Sequence, residues 1–142
     1  MTSLSFPDLN VWIALQAPGH PHHGLAKKWW GEESGSICFT RFTQLGFLRI
    51  TTTAAAMDGR PLAMAEAWGA YDFFFRDDRV MFQPESAGTE SAFRKATSVP
   101  VASPKVWADA WLLAVAEAAG GVVVTFDRAL ASCGAHCLLG GR

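Results

Sequence analysis

Long apolar runs are missing from this sequence: no stretch approaches the roughly 18 residues that a membrane-spanning helix needs. The opening Met1-Thr2-Ser3-Leu4 also lacks a basic start leading into an apolar segment. Neither membrane anchoring nor secretion is expected, and a cytoplasmic location follows. Cysteine is scarce. Cys38, Cys133 and Cys137 are odd in number and show no C-x-x-C spacing, which argues against a disulfide framework and a zinc cluster and reads as reduced thiols. An excess of one charge is lacking too: 12 Lys plus Arg stand against 13 Asp plus Glu, a formal net charge of -1. The bulk composition therefore has no electrostatic footprint of a nucleic-acid binder, and any such contact must rest on local clusters such as Lys27–Lys28, Arg41 and Arg49.

What is plentiful is apolar side chain, 50% of the residues against 18% charged. A chain of 142 residues suits a single domain over 1–142, and apolar content above the ordinary level is expected to cover a partner as well as a core. No repeat or low-complexity linker interrupts it. Short apolar runs alternate with longer helical patterns, the signature of βαβ units around a parallel sheet. Strands are expected at Leu4–Phe6, Ser36–Phe39, Val80–Phe82 and Val122–Phe126, with an edge strand at His136–Leu139. Helices are expected at Leu9–Ala17, Pro21–Glu33, Phe42–Thr51, Pro61–Arg76, Thr89–Ala96 and Pro104–Ala119.

The last of these helices carries an anomaly. Ser103 suits a cap, Pro104 a first helical position and Gly120-Gly121 a stop. Between them, Val106-Trp107-Ala108-Asp109-Ala110-Trp111-Leu112-Leu113-Ala114-Val115-Ala116 sets one carboxylate among apolar residues. A charge on an apolar helix is costly unless a cation or donors meet it. Counted from Ser103, Asp109 lies beyond the first turn where the helix dipole acts. A metal ion is one answer and Lys105, one turn earlier, is another.

Two more aspartates follow strands. Asp127 comes after Val122-Val123-Val124-Thr125-Phe126, and Asp8 after Leu4-Ser5-Phe6-Pro7. Each suits a cap, of Arg128–Ser132 and of Leu9–Ala17 respectively. Each equally suits the strand-end edge where ligands of open α/β sheets gather. Parallel strands carry Asp8 and Asp127 to one edge, and the start of helix Pro104–Ala119 can deliver Asp109 there. Three crowded carboxylates raise one another's pKa unless a divalent cation compensates. Oxygen ligands alone favour magnesium or manganese over zinc, at about 2.0–2.6 Å from a common point. Asn10 can orient a carboxylate or a water, and Thr125 can hydrogen-bond the site or serve only as a β-branched strand residue.

Phe6-Pro7-Asp8-Leu9-Asn10-Val11-Trp12, Lys105-Val106-Trp107-Ala108-Asp109-Ala110-Trp111-Leu112-Leu113-Ala114 and Val124-Thr125-Phe126-Asp127-Arg128 resemble, in order, the successive acidic motifs of PIN-domain nucleases, and in particular of VapC-type toxins. The resemblance spans nearly the whole chain. It implies a three-layer fold with a parallel sheet of four to five strands between helices. It also implies a metal-dependent endoribonuclease, commonly a homodimer, that is the toxin of a toxin–antitoxin pair and is inhibited by a cognate antitoxin. Asp8, Asp109 and Asp127 would hold Mg2+ or Mn2+ and direct in-line attack of water on RNA, leaving a 5′-phosphate and a 3′-hydroxyl. Such nucleases usually place a further acid where Gln44 stands, so Gln44 would accept a hydrogen bond or ligate through oxygen without adding charge. Glu85 and Glu90 are the acids that could substitute for it spatially.

Two other readings stay open. A magnesium-dependent phosphatase or phosphotransferase would use an aspartate after the first strand as nucleophile, usually with a second Asp two residues on, where this chain has Asn10. A decayed PIN-fold module would bind RNA without cleaving it. His20, His22 and His23 lack the i, i+4 spacing of a ligand pair and read as surface residues. Trp29, Trp30, Trp68 and the run Phe73-Phe74-Phe75 read as core or interface. Successive helical side chains are about 100° apart, so the three phenylalanines cannot all turn inward.

Overall fold

The chain alternates strands and helices so that each apolar strand is returned to the same edge of one sheet. The computed structural model describes residues 3–140. In chain order it holds β1 (Leu4–Pro7), α1 (Leu9–Gln16), α2 (His23–Glu32), β2 (Ser36–Phe39), α3 (Arg41–Thr51), a 3-10 turn (Ala54–Met57), α4 (Met64–Phe74), β3 (Val80–Phe82), α5 (Thr89–Thr97), α6 (Val106–Ala119), β4 (Val122–Thr125), α7 (Arg128–Ala131) and β5 (His136–Cys137). The five strands are ordered β3-β2-β1-β4-β5, and every pairing is parallel. The expected α/β fold with four to five parallel strands is therefore the observed one. The order turns back between β1 and β4, a switch point where two neighbouring strands send their following loops apart and leave a crevice.

Alternation along the strands divides the core into two layers. Ile37, Phe39, Val80 and Val124 face a layer closed by Val11, Trp12, Trp29, Phe47 and Tyr71 of helices α1 to α4. Phe6, Cys38 and Val123 face the other, closed by Leu112, Val115 and Ala116 of α6. Trp12 is fully buried and stacks on Phe39 with centroids 3.6 Å apart and an 11° interplanar angle.

Helix starts differ from the expectation in a consistent way. Pro21, Pro61 and Pro104 were each expected to open a helix, whereas the helices begin at His23, Met64 and Val106. Proline fixes a φ that suits a preceding turn as well as a first helical position. Ser103 does not cap α6 with its side chain; Lys105 is the cap residue, and the Ser103 carbonyl takes the Val106 N–H at 3.0 Å in a turn. Helix α3 begins one residue earlier than expected, with a reciprocal Thr40–Thr43 capping box. At its other end α6 stops as expected, with Gly120 at φ 74°.

Candidate active site

Each aspartate is delivered by a different element. Asp8 follows β1 and caps α1; its Oδ1 accepts the Leu9 N–H at 2.7 Å, and its own N–H donates to the Val124 carbonyl at 2.8 Å, tying it to β4. Asp127 follows β4 and caps α7, its Oδ1 accepting the Ala129 N–H at 2.9 Å. The capping and the edge readings are thus realised together. Asp109 lies in the first turn of α6, not beyond it, because that helix starts two residues later than its proline. The first turn projects free of the core: Val106, Trp107 and Ala108 are exposed and Asp109 half-buried.

All three line one hollow at the carboxyl edge of β1 and β4, together with Asn10, His20, His22, Phe42 and Phe126. Thr125 couples two of them from beneath. Fully buried, its hydroxyl donates to Asp8 Oδ2 at 3.1 Å and accepts the Asp127 N–H at 3.0 Å. The hydroxyl thus bridges the Asp8 carboxylate and the backbone of Asp127. Burial raises the Asp8 carboxyl above its ordinary 3.8; the bonds from Thr125 and Leu9 oppose this, and the Asp127 charge adds to it. Burial likewise raises Asp109, reinforced by Asp8 and then Asp127. Lys105 forms no ion pair with Asp109 among the described residues.

This donor set fits a hard divalent cation: carboxylate oxygens share one hollow, at least one of them is destabilised by the others, and none of the described lining residues is Lys or Arg. The carboxylates do not close on a single point, since among the described residues no three His, Cys, Asp or Glu side chains form a ready-made metal cage. That departs from the expected convergence within coordination distance. Like charges keep apart, and Asp8 and Asp127 each spend an oxygen on a backbone amide.

Asn10 is exposed on the first turn of α1 and reaches the rim of the hollow. Gln44 does not line it. Its Oε1 takes the Arg41 guanidinium at 2.5 Å and its side chain is buried, so it belongs to the interior of the domain; from α3 it is Phe42 that faces the carboxylates. Glu85 and Glu90 do not substitute for it either, for they border a separate surface groove with Trp107 and Trp111, and Glu90 pairs with Arg94 at 2.8 Å.

His20 and His22 are site-lining residues that spacing alone did not disclose. A tertiary signal was present: α2 ends at Glu32 and β2 begins at Ser36, so the other end of that helix must lie at the opposite, carboxyl edge of the sheet. The loop Ala17–His22 is there, with the His22 ring 4.6 Å from Phe126. Burial and the neighbouring imidazoles hold His20 below the usual histidine range.

Residues 5–134 match the PIN domain family. Over 133 residues the chain is 38% identical to Ribonuclease VapC41 of Mycobacterium tuberculosis, covering 89% of this chain and 91% of that one. Over 134 residues it is 34% identical to Ribonuclease VapC39 of the same organism, covering 87% and 88%. Among solved structures, Mycobacterium tuberculosis VapC20, a Sarcin-Ricin loop cleaving toxin, superposes with a TM-score of 0.66 at 17% identity over 92% of this chain and 95% of that one. VapBC2 from Rickettsia felis, solved bound to a DNA fragment from its promoter, gives a TM-score of 0.60 at 9% identity over 91% and 92%. These two likenesses bear on the fold, and the sequence matches carry the family: this chain belongs to the PIN-domain family.

Proposed function

We propose that the chain is a metal-dependent endoribonuclease acting as the toxin of a toxin–antitoxin pair, with Asp8, Asp109 and Asp127 as its catalytic and metal-holding residues. The observation that carries this reading is the meeting of those three carboxylates in one hollow without a lining Lys or Arg among the described residues. The similarity to ribonucleases VapC41 and VapC39 over most of the chain supports it. Mg2+ or Mn2+ is the expected ion. When bound, it supplies Lewis acidity toward the scissile phosphate and lowers the pKa of an attacking water.

The protein's own contribution is placement. Thr125 fixes Asp8 and the backbone at Asp127 in one arrangement, which keeps two of the acids from swinging apart under their mutual repulsion. A carboxylate left unengaged by metal takes a proton from water. Asn10 orients water at the rim. A cognate antitoxin, a second copy of the chain and an RNA strand are the proposed partners. A phosphotransferase is disfavoured by Asn10, because no second acid follows Asp8 at that spacing.

The test is cleavage of an end-labelled RNA by the purified protein with Mg2+ or Mn2+, against the same reaction in chelator and against Asp8→Asn. Internal cleavage that needs the ion and is lost in the variant is the expected result. RNA left intact under every ion overturns the nuclease reading, and a trapped aspartyl-phosphate would replace it.

A further inference from the structure

The histidine loop is built more carefully than a surface loop requires. His23 Nδ1 lies 2.7 Å from the Ala14 carbonyl, an arrangement that puts a proton on that nitrogen and fastens the start of α2 to α1. His20 Nδ1 accepts the His22 N–H at 3.0 Å, so that nitrogen keeps its lone pair and the ring is neutral, with its proton on Nε2. The backbone closes the same turn, His20 N–H donating to the Ala17 carbonyl and His23 N–H to the His20 carbonyl, both at 3.0 Å. His22 and His20 lean on Phe126, with centroids 4.6 and 6.3 Å away, and Phe126 immediately precedes Asp127. The imidazole of His20 is therefore fixed against the wall of the acidic hollow. Its Nε2–H makes no hydrogen bond among the described residues.

A nuclease site must hold a polyanion beside a cluster of carboxylates. A Lys or Arg at the wall would meet that need but would pair with the aspartates and oppose a cation there. A neutral donor has neither effect. Three side chains able to donate line the hollow, Asn10, His20 and His22, and of the two imidazoles only His20 has a ring nitrogen held by a hydrogen bond among the described residues. Asn10 is exposed on a helix turn, whereas His20 is set by its backbone bonds and by Phe126, so its N–H costs less to order on binding.

We propose that His20 is a substrate-binding residue whose Nε2–H donates to a phosphate oxygen of the bound RNA strand, with His22 and Phe126 as positioning residues that hold its ring. The proposal rests on the ribonuclease reading for its substrate.

His20→Asn and His20→Gln separate the ring's two roles. The asparagine oxygen can still take the His22 N–H but offers nothing at the Nε2 position, while the glutamine amide reaches that position with a donor. Binding of a fluorescein-labelled single-stranded oligoribonucleotide is followed by anisotropy in chelator, and cleavage of the same strand is followed with Mn2+. Expected for His20→Asn is RNA affinity weakened roughly 10- to 100-fold, the worth of one hydrogen bond to a charged group. KM should rise in parallel, with the wild-type melting temperature and the wild-type manganese concentration for half-maximal rate. His20→Gln should recover most of the affinity.

Unchanged affinity in His20→Asn overturns the proposal. So does an equal loss in both variants with a lowered melting temperature, which marks a structural residue, or a shifted manganese requirement, which marks a residue acting on the ion. Wild-type protein that binds RNA but never cleaves it refutes the nuclease reading alone, and the anisotropy comparison still decides the role of His20. Wild-type protein that does not bind RNA refutes both.

Discussion

Asp109 is under opposing demands. The amino end of α6 favours a negative charge in its first turn, while burial, Asp8 and Asp127 disfavour it, and the balance leaves its carboxyl above the ordinary 3.8. A carboxyl raised in the folded state holds its proton there at a pH where the unfolded chain has released it. Its contribution to stability therefore falls as pH rises from about 3.8 through the raised value, then stays level. Asp77, lowered to about 2 chiefly by the Arg79 hydrogen bond, works the other way: its stabilisation is present above the unfolded value and lost as pH falls toward about 2. Comparing wild type with Asp109→Asn cancels that second effect. In chelator at neutral pH the variant is expected to melt at the same temperature or slightly higher, and the difference should vanish near pH 3.8. With Mg2+ or Mn2+ it should have lost RNA cleavage. Thermal melts across pH and a cleavage assay check both halves, and cleavage retained by the variant would make this carboxylate structural.

Arg79, just ahead of β3, shows how elements are joined away from the site. Its guanidinium donates to the Trp30 carbonyl at 2.7 Å and the Glu33 carbonyl at 2.6 Å. It also forks onto both carboxylate oxygens of Asp77, at 3.0 and 2.7 Å, and covers the Trp30 ring at 5.0 Å. It thus closes the carbonyl end of α2 onto the sheet edge opposite the hollow. Lysine cannot reproduce that planar fork, so Arg79→Lys should cost about 1–3 kcal/mol, the range for losing charge-assisted hydrogen bonds, read from urea midpoints while RNA cleavage per folded molecule stays unchanged. Nothing in the sequence around Arg79 announced this clip, because its partners lie 49 and 46 residues away. The strands were legible because Val, Ile and Phe cluster in short runs, and their parallel order followed from the helices between them. Helix starts were less legible, since a proline without a capping side chain before it marks a turn as readily as a first helical residue. At the site, Asp8, Asp127 and Thr125 could be read from their place at strand ends. Gln44 could not, because its side chain turns to Arg41 and away from the hollow, and His20 was hidden because its place at the hollow arises only when α2 is placed.

For the molecule as a whole, the apolar surplus in the composition has to be placed on a surface. The phenylalanine run divides as helical geometry requires: Phe74 and Phe75 pack against the core and Phe73 is 63% exposed. Phe73 is partly sheltered, however, with the Arg76 guanidinium 5.1 Å from its ring centre. A more continuous patch lies where α5 turns into α6. There Val99, Val101, Val106 and Trp107 are all exposed, Val101 at 66%, and they border one shallow groove. Apolar side chains gathered this way on a small domain favour burial against an identical surface, since a two-fold axis lets one patch cover its own copy. Sedimentation velocity at micromolar concentration should report a dimer. Val101→Glu combined with Trp107→Glu should shift it to monomer by setting like charges against each other across the axis, whereas Phe73→Glu should leave the dimer in place. A monomer in the wild-type protein, or a dimer that the paired glutamates fail to separate, would move the interface elsewhere.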